Sequence, residues 1–252
     1  MNVLEVKQLE KIYFGKVNYA ALNGVSFDVE QGDFVGIMGP SGSGKTTLLN
    51  CISTIDVPTG GSLEIEGTNP HGLSDRDLAK FRRNELGMVF QDFNLVDTLT
   101  IKENILLPMT LDEVSIEEMN NRLRTVTEFL GITQLLDKRT FEVSGGQAQR
   151  VAIARAIIHQ PSLLLADEPT GNLDTKSVKD VMNLFTSVNK DLQTTILMVT
   201  HDPYVASFCN RIIFIKDGKF HNEIHRGEQK GEFYQKIIDT LAFLGGRRDD
   251  IQ

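Results

Sequence analysis

A glycine-rich loop at residues 39–46 has the residue types that bind phosphate. It matches the pattern G-x-x-x-x-G-K-[ST], and it lies between an apolar run, Phe34–Met38, and a helix-like stretch at residues 47–50. Glycines let the backbone wrap around an anion, and the N–H groups at the start of the helix point at it. Lys45 would reach the terminal phosphates of a nucleotide, and the Thr46 hydroxyl would ligate Mg²⁺. The strand–loop–helix setting therefore predicts a phosphate site here.

A second helix start of similar character lies at residues 144–147. Ser144 and Gln147 have the spacing of a capping box, and the two glycines between them leave the N–H groups of the first turn uncovered. One nucleotide needs only one phosphate loop. On these residues alone, an ordinary capped helix therefore stays open as the alternative to a second anion site.

Two adjacent carboxylates, Asp167 and Glu168, follow an apolar run at residues 163–166. Successive side chains of a strand point to opposite faces, so the two carboxylates are expected to point in different directions. We expect Asp167 to hold a metal ion, and Glu168 either to act as general base toward an attacking water or to polarise that water. Gln91 and His201 also follow strand-like runs, and open α/β sheets bind ligands at that end of their strands.

Strand-like runs alternate with helix-like runs along much of the chain. The predicted strands are residues 25–30, 34–38, 62–66, 86–90, 163–167, 195–199 and 212–216. An alternation of this kind predicts a largely parallel sheet that is covered by helices.

The stretch from residue 92 to about residue 160 is predicted to be helical instead. Thr100 with Glu103, and Ser115 with Glu118, have the spacing of capping boxes. An apolar stripe at helical spacing then ends at Gly131, and its residues are Ile116, Met119, Leu123, Val126 and Leu130. Such a stripe predicts a helix packed on the core. A last helix is predicted in the tail, with Phe233, Ile237 and Leu241 on one face.

The composition is that of a packed globular chain. Its 252 residues are 40% hydrophobic and 24% charged, which fits one large or two small domains. The net charge of −8 argues against nucleic acid as a partner. No apolar stretch approaches the ~20 residues that span a bilayer, and no signal-peptide pattern opens the chain, so we expect it to be neither secreted nor membrane-spanning. Cys51 and Cys209 are expected to be buried, reduced thiols rather than zinc ligands.

In order and spacing, these motifs resemble those of ABC-type ATPase domains over residues 4 to 218. In the terms of that family, they are Walker A at residues 39–46, the Q-loop at Gln91, the signature at residues 144–147, Walker B at Leu163–Asp167 with Glu168, the D-loop at residues 171–174 and the H-loop at His201. Val143 stands where the family usually has leucine before the signature, and both residues are apolar.

The resemblance implies an α/β fold of the P-loop NTPase class, RecA-like with a mainly parallel sheet, to which an antiparallel β part and a helical subdomain are added. It also implies a division of the chain. The first part of the nucleotide-binding core would take residues 1–91, the helical subdomain with the signature residues 92–160, the second part of the core residues 161–228, and a C-terminal tail residues 229–252.

The resemblance further implies ATP and Mg²⁺ as cofactors, and a homodimer in which the signature of one subunit closes over the nucleotide of the other. Tyr13 is implied to stack on adenine, and a core residue at a strand edge is the alternative reading. The expected nucleotide contacts are Tyr13, Gly39, Pro40, Ser41, Gly42, Ser43, Gly44, Lys45, Thr46, Thr47, Ser144, Gly145, Gly146, Gln147 and Asp174. The expected metal ligands are Thr46, Gln91 and Asp167, and the expected catalytic residues are Glu168, His201 and Gln91.

A single cassette favours a transport motor that pairs with a separate integral-membrane permease at the cytoplasmic face of the cell membrane. A DNA-repair or chromosome-organising ATPase would need long heptad arms or zinc modules, and a translation factor would need two tandem cassettes. The sequence has neither feature. ATPases of cell-division complexes are the rival from another class. By resemblance, the permease contact is expected near residues 92–98.

Two stretches, within residues 95–108 and 201–218, resemble the bacitracin-resistance (Bce-type) ATPases of Gram-positive bacteria. A tail that ends near Leu244, Gly245 and Gly246 adds to the likeness. This implies resistance to cell-wall-targeting peptides such as bacitracin or lantibiotics, with a sensor histidine kinase as a further partner through the permease. Lipoprotein-releasing and macrolide-type ATPases share residues 171–174 and much else, and they stay open as alternatives.

Overall fold

The computed structural model describes residues 1–112, 114–227 and 230–245. The chain forms two compact units. The first unit consists of Met1–Leu73 together with Thr195–Gln252, and the second of Ser74–Thr194.

In chain order the strands are β1 (Asn2–Tyr13), β2 (Tyr19–Glu30), β3 (Phe34–Met38), β4 (Gly60–Ile65), β5 (Leu86–Val89), β6 (Leu163–Asp167), β7 (Thr195–Val199), β8 (Arg211–Lys216) and β9 (Lys219–His225). The helices are α1 (Lys45–Ile52), α2 (Asp75–Glu85), α3 (Ile101–Leu111), α4 (Ile116–Leu130), α5 (Gly145–Ile157), α6 (Thr175–Asp191), α7 (Pro203–Ala206) and α8 (Lys230–Leu244).

In the first unit, β3 lies between β7 and β8 and is parallel to both. Its five residues are all buried, which is why it reads as an unbroken apolar run in the sequence. β9 pairs with β8 and is antiparallel to it. A second, antiparallel sheet has the order β2-β1-β4.

Two strands of the first unit, β1 and β9, were not among the predicted strands. β1 buries Val3, Leu4, Val6 and Leu9. Its alternation is interrupted between Val6 and Leu9, where the register with β2 shifts and Gln8 takes a positive φ of 49°. β9 is largely exposed and mostly polar, so it lacks the apolar signal altogether.

In the second unit, β5 and β6 pair in parallel, and α5 packs against β5 and against helices α3, α4 and α6. The predicted stripe on α4 is confirmed for Leu123, Val126 and Leu130, which are buried, and Gly131 ends the helix in the left-handed conformation. Ile116 is an exception, because it lies in the first turn and is 74% exposed.

Of the two capping boxes predicted at Thr100 and Ser115, the first forms completely and the second only in part. The box at Thr100 is complete, since Thr100 and Glu103 bond each other's backbone N–H groups. At Ser115 only half of the box forms. The Ser115 hydroxyl accepts from the N–H of Glu118, while the Glu118 carboxylate bonds Arg122 at 2.6 Å, one turn further on.

The remaining predictions on the core are confirmed where the structure describes them. Cys51 and Cys209 are free thiols, and both are buried. On α8, Phe233 and Ile237 are buried and Leu241 is half-buried. Gly246, part of the predicted tail, lies outside the described residues. Among those residues, no helix is both long and apolar enough to cross a bilayer.

His159 makes the stability of the fold depend on pH. Its Nε2 bonds the carbonyl of Leu86 at 3.1 Å, and burial lowers the pKa of the imidazole. The unfolded chain therefore binds a proton more readily than the folded chain, and the free energy of unfolding falls as the pH drops below about 6.5. We expect a loss of up to about 1.4 kcal/mol from His159 at pH 5.5, measured by urea unfolding. His159→Gln, which cannot titrate, should show a smaller loss between pH 7.5 and 5.5, and an equal loss would contradict the assignment.

Candidate nucleotide site

The glycine-rich loop after β3 can be built only with glycines at two places. Gly39 has a φ of 155° and Gly44 a φ of 97°, conformations that side chains disfavour. A Cβ on Gly39 would lie 2.0 Å from the carbonyl oxygen of Ile215, and one on Gly44 would lie 2.3 Å from that of Ala21. The loop is therefore pressed against the backbones of β8 and β2, and the glycines fix its shape.

The start of α1 offers hydrogen-bond donors. Gly44 is its N-cap and supplies no side-chain cap, and the first turn of this helix holds no acidic residue. The Lys45 ammonium donates to the carbonyls of Gly39 and Pro40, each at 2.9 Å, so it lies at the beginning of the loop. The hydroxyl of Ser43 is buried without a partner among the described residues. Uncapped N–H groups, an ammonium and an unpaired hydroxyl suit the phosphates of a nucleotide.

Tyr13 ends β1 beside this helix. Its hydroxyl donates to Asp56 Oδ2 at 2.8 Å, and it also bonds the side chain of Thr47 in the first turn of α1. Tyr13 remains 40% exposed, which does not suit the alternative reading of a core residue. Within the first unit, an exposed aromatic ring thus lies next to the loop.

His201 lies at the same end of the first unit. β7 and β3 are parallel with Val199 opposite Ile37, and the N–H of Thr200 donates to the Ile37 carbonyl at 3.2 Å. The residue after Thr200 is His201, which is exposed. The structure therefore places His201 at the end of β3 from which the glycine-rich loop leaves, and Tyr13 beside the helix that follows this loop.

The second unit carries the signature at the start of α5. Its capping box is confirmed: the Gln147 side chain accepts from the Ser144 N–H at 3.0 Å, and the Ser144 hydroxyl accepts from the Gln147 N–H at 3.4 Å. A groove of 310 Å³ opens between this start and that of α6. It is lined by Ser144, Gly146, Gln147, Arg150, Asp174, Lys176, Ser177, Asp180 and Val181.

The D-loop joins the signature to Gln91 within the second unit. Gly171 lies against the Gln91 side chain, because a Cβ there would come within 2.8 Å of Gln91 Cδ. The Asn172 amide donates to Asp92 Oδ1 at 2.7 Å. Leu173 lies on the other side, with its Cδ2 3.5 Å from the position of a Cβ on Gly145. A displacement of the D-loop would therefore reach both Gln91 and the signature.

Asp174 caps α6, and sequence reasoning did not identify its partner Ser177. The Ser177 hydroxyl donates to Asp174 Oδ2 at 2.6 Å, and the backbone N–H groups of Lys176 and Ser177 also bond this carboxylate. These bonds, that of the hydroxyl first, hold the pKa of Asp174 below its usual range. Ser177 Oγ lies 3.1 Å from where a Cβ of Gly146 would be. The capped carboxylate is thus held beside the signature.

Asp167, the last residue of β6, and Glu168, which follows it, are both half-buried. β6 ends at Asp167, so the alternation of strand side chains applies to Asp167 but not to Glu168. Glu168 has a positive φ of 44°, and its carbonyl accepts from the N–H of Gly171 at 3.0 Å. A non-glycine residue in this conformation is strained, and such strain clusters at functional sites. A turn, rather than strand alternation, therefore sets the direction of Glu168.

The segment after Gln91 is held by Arg155, which sequence reasoning missed. Phe93 and Asn94 have positive φ values of 61° and 48°, and the Arg155 guanidinium donates to both of their carbonyls, at 2.9 and 2.6 Å. Arg155 belongs to α5, the helix that begins with the signature. Arg139 adds a bond from its guanidinium to the Thr98 carbonyl at 2.5 Å. Nothing in the sequence marks Arg155, because it acts through a contact about 60 residues away.

Comparisons with known proteins agree with these motifs. A family model described as ABC transporter matches residues 22–171. The ABC transporter ATP-binding protein YxdL of Bacillus subtilis is 60% identical over 99% of this chain and 97% of that protein. The bacitracin export ATP-binding protein BceA of Halalkalibacterium halodurans is 46% identical over 99% of this chain and 100% of that protein.

A solved structure gives the same answer for the fold. It is a dimeric, post-hydrolysis state of the ATP-binding cassette MJ0796 bound to ADP and Pi. The TM-score is 0.80 at 40% identity, covering 89% of this chain and 99% of that one. The expected α/β P-loop NTPase fold, with its antiparallel β part and helical subdomain, is confirmed. The chain belongs to the ABC transporter family, as an ATP-binding cassette that hydrolyses ATP.

Proposed function

We propose that this chain powers a separate membrane permease in resistance to cell-wall-targeting antimicrobial peptides such as bacitracin or lantibiotics. One observation carries this proposal: the chain aligns end to end, at 46% identity, with a protein named as a bacitracin export ATP-binding protein. The surface proposed below to meet the permease, residues 92–98, lies within this alignment.

In the proposed cycle, Lys45 and the N–H groups of residues 41–46 bind the phosphates of ATP. Thr46, Gln91 and Asp167 would hold Mg²⁺, which would supply positive charge to offset the negative charge that builds up on the phosphates. Glu168 would take a proton from the attacking water, and His201 and Gln91 would act on the terminal phosphate, as the family resemblance implies. Tyr13 would receive the adenine ring, and Asp174, the last residue of the D-loop, would contact the nucleotide.

We place the signature in trans. Each chain has one Walker A loop and a second glycine-rich helix start, at Gly145 and Gly146, which Ser144 caps and which opens on a groove. The cassette MJ0796 is dimeric in its structure. In a homodimer of the present chain, Ser144, Gly145, Gly146 and Gln147 of one subunit would bind the phosphates held by the other, so that ATP joins the two subunits and hydrolysis releases them.

The proposed partners follow from this role. A multi-span permease would bind the surface near residues 92–98 and place the chain at the cytoplasmic face of the membrane. A sensor histidine kinase would be reached through the permease. Lipoprotein-releasing, macrolide-type and cell-division complexes use similar cassettes and are the competing assignments for the same motor.

The test is a deletion of the gene in its host. Cells without this chain should be inhibited by lower concentrations of bacitracin or lantibiotic-like peptides, and the parental gene should restore resistance. A Glu168→Gln copy, produced in equal amount, should not restore it, because the permease would lack its source of energy. Unchanged inhibitory concentrations for several such peptides, together with a defect in division or lipoprotein sorting, would move the assignment to a competing complex.

A further inference from the structure

A carboxylate and a buried ammonium hold the ring of Tyr13. Asp56 uses both of its oxygens: Oδ2 accepts from the Tyr13 hydroxyl at 2.8 Å, and Oδ1 accepts from Lys11 Nζ at 2.5 Å. Lys11 is 8% exposed, and its ammonium also donates to the carbonyl of Val57 at 2.7 Å. A buried ammonium is costly unless it is paired, so Asp56 is the group that makes this position of Lys11 possible.

The residues of this arrangement come from β1 and from the turn after α1. Lys11 and Tyr13 are alternate residues of β1, which places them on one face of the strand. Asp56 lies in the turn after α1, where its N–H donates to the carbonyl of Asn50 at 3.0 Å. The ring is thus tied to both ends of the helix that begins at the phosphate loop, to Thr47 at its start and to Asp56 beyond its end.

The ammonium of Lys11 also lies over the ring, 5.0 Å from its centroid. A cation at this distance is attracted to the π electrons and draws them toward its own face. The ring keeps 40% of its surface exposed, so it can still receive a flat partner.

We propose that Asp56 and Lys11 are positioning residues for the nucleotide base, which hold the Tyr13 ring in the orientation that stacks on adenine. This inference rests on the proposed role of Tyr13. Without these contacts, the exposed side chain of Tyr13 would lose rotational freedom when ATP binds, and this loss would lower the affinity. A ring that is already oriented does not have this cost. The two residues would therefore act on binding of the base and not on the phosphates.

Tyr13→Phe tests the inference most directly, because it keeps the ring and removes only the hydroxyl, which bonds Asp56 and Thr47. Two affinities are compared, that for ATP and that for inorganic tripolyphosphate, which can occupy the phosphate loop but has no base. We expect Tyr13→Phe to weaken ATP binding about 3- to 10-fold, a fraction of the roughly 5- to 150-fold effect of losing a stacked base, with tripolyphosphate binding as in the parent. The change should fall on KM for ATP rather than on kcat.

Asp56→Ala and Asp56→Asn form a second, matched pair. The asparagine keeps an acceptor oxygen for the Tyr13 hydroxyl, so it should recover part of the ATP affinity that the alanine loses. Because Asp56→Ala leaves the Lys11 ammonium unpaired, thermal unfolding of both variants is recorded. Tyr13→Phe leaves the Lys11–Asp56 pair intact and keeps the test decisive even where Asp56→Ala does not fold.

Tyr13→Ala separates failure of the inference from failure of the proposed base contact. If Tyr13→Ala loses ATP affinity relative to tripolyphosphate while Tyr13→Phe binds both as the parent does, the inference is overturned and the base contact stands. If Tyr13→Ala also keeps the parental ratio of the two affinities, Tyr13 does not touch the base, and both ideas fall.

Discussion

Glu168→Gln should lower the rate of ATP hydrolysis about 10²- to 10⁴-fold while ATP binding is retained, because an amide cannot accept the proton of the attacking water. The substitution keeps the size of the side chain. Glutamine meets the same strain at a φ of 44° as glutamate, so the turn toward Gly171 should persist. Steady-state hydrolysis and equilibrium binding of ATP measure the two effects.

Glu117→Gln is the matched control for this variant. It removes the same charge from an exposed position on α4 and should hydrolyse ATP as the parent does. Hydrolysis by Glu168→Gln at the parental rate would show that another group activates the water.

The second large effect is expected at Gly145, in chains that also carry Glu168→Gln so that ATP persists. A Cβ at Gly145 would meet Leu173 Cδ2 at 3.5 Å, an ordinary contact, so the position has room for a side chain. Gly145→Asp would place a negative charge where the phosphates of the partner's nucleotide are proposed to bind. A contact between like charges costs several kcal/mol, so the dimer formed with MgATP should dissociate roughly 100-fold more readily or worse. Sedimentation with saturating MgATP measures this.

Gly145→Asn has nearly the same shape without the charge and is the control. An aspartate in the first turn of a helix is itself favourable, so Gly145→Asp should fold. The trans arrangement predicts a large difference in self-association between the two variants, with each chain still binding one nucleotide. Equal self-association of the aspartate and asparagine variants would contradict it.

The sequence predicted the bounds of three strands that are almost entirely buried, β3, β6 and β7. A strand that is covered on both faces is apolar at nearly every position, so it stands out as a continuous apolar run. β1 and β9 were not predicted, because neither gives a continuous apolar run. The register of β1 with β2 is irregular, and β9 faces solvent. The complete capping boxes at Thr100 and Ser144 were readable because both partners lie within one turn.

The candidate site was also predicted only in part from the sequence. Its motifs are contiguous, so their residue types and spacing could be read directly. The side chains that position these motifs lie far from them in the sequence. Asp56 bonds Tyr13, 43 residues away, and Arg155 bonds Phe93, 62 residues away. Ser177 is close in sequence to Asp174, but its place against Gly146 depends on how α5 and α6 pack. Tertiary packing creates such contacts, and no local pattern signals them.

Because Arg155 bonds the carbonyls of Phe93 and Asn94, the conformation of residues 92–98 depends on a side chain outside that segment. Two consecutive left-handed residues are unfavourable on their own, and the forked guanidinium that bonds both carbonyls is a geometry that lysine cannot reproduce. Residues 92–98 transplanted into a relative would therefore keep their chemistry and lose their conformation unless an arginine stood at the position of Arg155. If residues 92–98 form the proposed permease contact, chimaeras that exchange permease preference between cassettes should need both this segment and Arg155.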